Sequence, residues 1–168
     1  GISMKKLFFI AFSIIVIFMT LMIFAYFNFK LLPTHTRYVH SIGANISLAP
    51  LEVFHIDFSV VKPQLQMNDF GIKNLSNESP YYRHFFIFSP LNETPVLYIG
   101  INLLSDNLSD PNNVAFMDVS YEACYPENQL ESRIATVKSQ LYRVAKICNL
   151  TINIENIEWW ITYQEDVD

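Results

Sequence analysis

Four histidines (His35, His40, His55 and His84) and two cysteines (Cys124 and Cys148) are the side chains best suited to ligate a metal or to act as nucleophile and base. Their spacing suits neither use: no HExxH pair sets two imidazoles on one helix face, and two cysteines without a CxxC cannot complete a structural zinc site. His55-Ile56-Asp57 would place an imidazole beside a carboxylate on one strand face. If the strand carrying His84 is a neighbour, the three would form a dispersed site for an enzyme or a small-ligand receptor; if not, His55 and Asp57 are a surface pair. The four glycines stand far apart, at Gly1, Gly43, Gly71 and Gly100, which excludes GxGxxG, the P-loop and GxSxG. No catalytic residue, cofactor or metal is assigned, and the chain is not read as an enzyme.

Binding chemistry is better represented. Trp159 and Trp160 are adjacent, so in a strand they point to opposite faces and only one can join a core. The other is free to anchor a protein partner, with Glu155, Glu158 and Glu165 as an acidic rim suited to a basic surface; packing under a loop or at a membrane surface is the alternative. Asn-x-Ser/Thr occurs six times, from Asn45, Asn74, Asn77, Asn92, Asn107 and Asn149, well above chance for this composition. In a eukaryotic secretory lumen these would be glycosylation sites. In a bacterial envelope, which the Met4-Lys5-Lys6 start favours, they are loop composition.

The elements that must position these groups begin with an apolar run. Leu7–Phe29 holds 23 residues without a charge; as a helix it covers about 35 Å, against roughly 30 Å of bilayer hydrocarbon. Ser13 and Thr20 can return their hydroxyls to carbonyls one turn back, and Tyr26 and Asn28 suit the interface. A cleaved signal peptide competes, but its best cleavage residue, Ala25, is preceded by the bulky Ile23. The run is apolar on every face, unlike a half-solvated core helix. Residues 4–30 are therefore read as a membrane anchor, 31–37 as a juxtamembrane linker and 38–168 as one extracytoplasmic domain, with Gly1-Ile2-Ser3 as an addition before the natural start. Lys5 and Lys6 are nearly balanced by Lys30 and Arg37, and the very short N-terminal side favours N-terminus inside, in a periplasmic setting.

Beyond the linker, strands are expected over Tyr38–Leu48, Leu51–Val61 (ended by Pro63), Tyr82–Phe88, Val96–Leu104, Val114–Ala123 and Thr151–Tyr163. The last has a phase slip at Glu155-Asn156 that a bulge or tight bend would explain. Asn68–Pro80 reads as a loop. Leu130, Ile134, Val137, Leu141, Val144 and Cys148 recur at helical steps, predicting an amphipathic helix over Gln129–Ile147 with Asn128 and Glu131 as a capping box. That helix separates its ends by nearly 30 Å and the lead-in from Cys124 covers only about 13 Å, so the cysteines cannot approach the roughly 7 Å that a disulfide tolerates.

The fold class is thus α+β: an N-terminal transmembrane helix, then a mainly antiparallel sheet domain with one amphipathic helix packed on it. Acidic residues exceed basic ones, 16 to 11, with no basic stripe, so nucleic acid is not a partner. The function expected is a membrane-anchored protein-binding domain, a bacterial toxin-neutralising immunity protein being one form. The alternatives are a structural subunit of a larger membrane complex, which would co-purify with stoichiometric neighbours, and the enzyme or receptor with a dispersed site.

Overall fold

A computed structural model describes residues 1–31, 37–89 and 96–164. The chain divides into two compact units, Gly1–Thr36 and Arg37–Asp168.

Among its described residues the first unit holds one helix, α1 (Met4–Leu31), long and apolar enough to cross a membrane or to serve as a signal sequence. Three of its polar side chains bond back to the helix: Ser13 Oγ donates to Phe9 O (2.9 Å), Thr20 Oγ1 to Val16 O (2.8 Å) and Asn28 Nδ2 to Phe24 O (3.0 Å). Each returns a donor that hydrocarbon would leave unsatisfied.

The second unit is an open, six-stranded, wholly antiparallel sheet. Its strands are β1 (Tyr38–Leu48), β2 (Gly71–Asn74), β3 (Arg83–Phe88), β4 (Val96–Leu103), β5 (Ala115–Pro126) and β6 (Trp160–Tyr163), in the order β2-β3-β4-β5-β1-β6. The connections contain α2 (Pro50–Phe54), α3 (Phe58–Met67) and α4 (Leu130–Cys148). Alternation puts Ala115, Met117, Val119 and Tyr121 of β5 on the buried face, with Leu97, Ile99, Ile101 and Leu103 of β4 and Phe85 and Ile87 of β3. In β1 a bulge between Val39 and Ser41 resets the phase, so that Val39 and then Ile42, Ala44, Ile46 and Leu48 all point inward. Val137, Leu141, Val144 and Cys148 of α4 belong to the same core, as do Val53 of α2 and Val61 and Leu65 of α3.

Several expectations are corrected. Leu51–Val61 is not a strand but α2, a short link and the start of α3. Pro50 supplies the fixed φ of a first helical turn. The Asp57 carboxylate caps α3 by accepting from Ser59 N (3.0 Å) and Ser59 Oγ (2.7 Å), which holds it below the usual carboxylate range. Within α3 the buried residues are Val61 and Leu65, one helical turn apart, while Val60 of the apparent alternation is half exposed and Ile56 is buried in the link between the helices. Pro63 lies on the exposed side of α3 rather than at its end. The 68–80 stretch is not all loop: it holds β2, entered through Asp69 at φ 66°, and a 3-10 turn at Ser76–Glu78. Asn128 does not cap α4, because a 3-10 turn over Glu127–Gln129 leads into the helix and its tighter bonding takes the place of a side-chain cap. The helix stops in a left-handed residue, Asn149 (φ 56°), with Leu150 N donating to Ala145 O (2.8 Å). Only Trp160–Tyr163 of the last segment pairs, and a turn at Glu155-Asn156 accounts for the phase slip.

Both cysteines are free, Cys124 on the exposed side of β5 and Cys148 in the core. Burial pushes the Cys148 thiol up to about 12 from its ordinary 9.0. Below pH 9 this has no effect on stability, since both states keep the proton. Above it the unfolded chain releases a proton that the folded chain holds, so stability falls by about 1.4 kcal/mol per pH unit until the folded thiol titrates. Urea midpoints between pH 8 and 11 should show this slope, and Cys148→Ala should remove that share of it. A thiol reagent at neutral pH should label Cys124 alone until the chain unfolds.

Candidate functional site

Among the described residues the core covers one face of the sheet and leaves the other open. Residues directly opposite in antiparallel register share a face, so the open side can be read row by row. One row runs Gly71, Phe88, Tyr98, Ser120, Gly43 and Trp160 across all six strands. The next carries Lys73, Phe86, Gly100, Asp118 and Asn45, and the third His84, Asn102, Phe116 and Ser47. All three glycines of this unit therefore lie on the open face. A Cβ on Gly43 would collide with the Trp160 indole, and one on Gly71 with the Phe88 ring. Gly43 and Gly71 thus each let an aromatic ring approach the sheet closely.

These rows enclose an open cleft of about 480 Å³. Phe86 forms one wall, stacked between Phe88 and Tyr98 with ring centroids 5.7 Å apart in both pairs. Trp160, 54% exposed, lines another side. Tyr81 and His84 bring in a further edge, Tyr81 meeting both His84 and Phe116 edge-on. Gly100 and Ser120 contribute to the lining, where the absence of a large side chain leaves room for an occupant.

Polar groups line the same cleft. Asp118 Oδ1 accepts from Asn45 Nδ2 (2.6 Å), and Asp118 Oδ2 lies 3.5 Å from Asn102 Nδ2. Asn102 is only 2% exposed, yet its Oδ1 has no hydrogen-bond partner, and neither has the buried Nδ1 of His84. A buried polar atom without a partner costs roughly 1–3 kcal/mol, a cost that a bound group would relieve. No Lys or Arg lines the cleft among the described residues.

The structure separates the other residues singled out in the sequence. Trp159 turns to the core side and packs against it, leaving Trp160 as the outward ring. Glu155 lines a different groove with Tyr142 and Ile152, and Glu158 lines a third depression with Asn45 and Ser47. Glu165 and His35 lie outside the described residues, and His40 is exposed near the start of β1. His55, Asp57 and His84 are not brought together: His84 lines the cleft, His55 a separate depression beside Glu52 and Asn149, and Asp57 caps α3. Among the described residues no cluster of His, Cys, Asp and Glu is placed to hold a metal ion.

Sequence reasoning missed Tyr98, Asn102 and Asp118. One sign was present: Arg83–Phe88 is apolar on both faces, with Phe86 and Phe88 alternating against Phe85 and Ile87. An antiparallel strand with one solvated face would not read that way. No protein family, curated protein or solved structure matches the chain.

Proposed function

We propose that this chain is a membrane-tethered binding protein that receives a protein partner in the cleft on the open face of its sheet. In this reading α1 spans the membrane with its N-terminus inside, and the sheet unit lies on the extracytoplasmic side, where α4 packs on the buried face of the sheet and stiffens it. Toxin neutralisation by an immunity protein is one form that such binding takes. The observation that carries the reading is the pairing of half-buried aromatic walls with unpartnered buried polar atoms. Aromatic rings concentrate binding energy when a partner excludes water from them, and the orphaned atoms supply specificity.

The test is recovery of partners by the full-length chain in mild detergent, set beside the Tyr98→Ala variant. A neighbour captured by the native chain and lost from the folded variant supports the proposal; recovery that is indifferent to the substitution contradicts it. The tether has its own test. A chain shortened to begin at Arg37 should stay in solution without detergent, whereas the intact chain should partition into membranes and resist alkaline carbonate extraction. Release of the intact chain by carbonate would remove the anchor.

A further inference from the structure

We infer that the group received in the cleft is a guanidinium, the side chain of an arginine presented by a basic protein partner. The inference rests on the docking proposal and names the chemistry of its occupant.

The first argument is the sign of the unmet hydrogen bonds. Asn102 Nδ2 faces the Asp118 carboxylate, and turning the amide over would set oxygen against oxygen, so Oδ1 is the unpartnered atom. That atom accepts. His84 Nδ1 also accepts when the ring proton is on Nε2. Asp118 adds a carboxylate that has no ion-pair partner among the described residues. The cleft therefore offers acceptors and negative charge, and its complement is a donor-rich cation.

The second argument is shape. Asp118, Asn102 and His84 stand on three adjacent strands, β5, β4 and β3, so the acceptors fan across the floor instead of meeting at one point. A planar group with five N–H donors on different edges can reach such a fan while its face lies on a ring; an ammonium is compact and holds its water more strongly. Trp160 and Tyr98 provide the π faces on which a guanidinium stacks. A saccharide also stacks on aromatic rings but leaves the Asp118 charge uncompensated. The net charge of −5 draws basic partners toward the chain.

The full-length chain in detergent, labelled with 5-fluorotryptophan, gives two fluorine resonances, and Trp160→Phe assigns the one from the cleft. Acetyl-Gly-Arg-Gly-amide should shift the Trp160 resonance saturably. The lysine peptide should bind roughly tenfold more weakly, and the uncharged citrulline isostere and cellotetraose should not saturate it. Asp118→Asn should weaken the arginine peptide by roughly tenfold or more, at unchanged circular dichroism. Equal binding of arginine and citrulline peptides by the native chain overturns the inference without relying on any variant, and so does saturation by cellotetraose. Either result leaves the docking proposal standing if Tyr98→Ala still abolishes partner recovery. If partner recovery survives Tyr98→Ala, docking fails, and the arginine assignment fails with it.

Discussion

Replacing Phe85 with alanine is expected to cost the sheet unit about 3–5 kcal/mol, the range for truncating a fully buried aromatic ring. Phe85 lies mid-strand in β3 with 1% of its surface exposed. Its ring stacks on Phe58 of α3 at 6.1 Å and 9°. The substitution opens a cavity where a helix meets the sheet, and neither element can collapse into it without losing its other contacts. A domain of this size has about 5–15 kcal/mol in total, so the variant should lie near the edge of stability. Urea unfolding should give a lower midpoint at an unchanged slope. A loss under about 1 kcal/mol would mean that the ring is not enclosed as described.

The tryptophan pair should divide cleanly between stability and binding. Trp160→Ala removes an exposed ring from the cleft; it should leave stability within about 1 kcal/mol and cost the partner complex about 2 kcal/mol or more. Trp159→Ala removes a ring packed on the core and should do the reverse, costing about 2 kcal/mol of stability. Gly43→Ala should imitate Trp160→Ala while keeping the indole, because the added methyl collides with the ring and displaces it from its place on the sheet. Denaturation curves and affinities for the three folded variants make the comparison. The same loss of affinity from both tryptophans, with no difference in stability, would contradict the assignment of one ring to each face.

Most strands and the long helix were legible. β1 spans Tyr38–Leu48 as expected, β3, β4 and β5 agree to within a few residues, and α4 follows its apolar steps from Leu130 to Cys148. α2 and α3 were not, because Phe54, Ile56, Phe58 and Val60 also satisfy a period of two over a segment too short to expose the difference. What decides it is the cap on Asp57 and the burial of Leu65, a residue beyond the apparent strand. The cleft was legible at two residues, His84 and Trp160, and at neither as part of this arrangement. Trp160 stood out by its pairing with Trp159, but its companions reach it across β1, β5, β4 and β3, and strand order is set by tertiary packing. Two of the glycines that excluded phosphate-binding loops, Gly43 and Gly71, turn out to be where rings settle on the open face, a role their spacing along the chain does not reveal.

Site-specific photocrosslinking in the native membrane tests the central claim most directly. A benzophenone amino acid placed at Phe116, beside the cleft, should give a covalent adduct with the partner. The same probe at Tyr142, on the exposed side of α4 and in the groove that holds Glu155, should give none. Adducts from Tyr142 and none from Phe116 would place binding on the helical side of the unit and contradict the account.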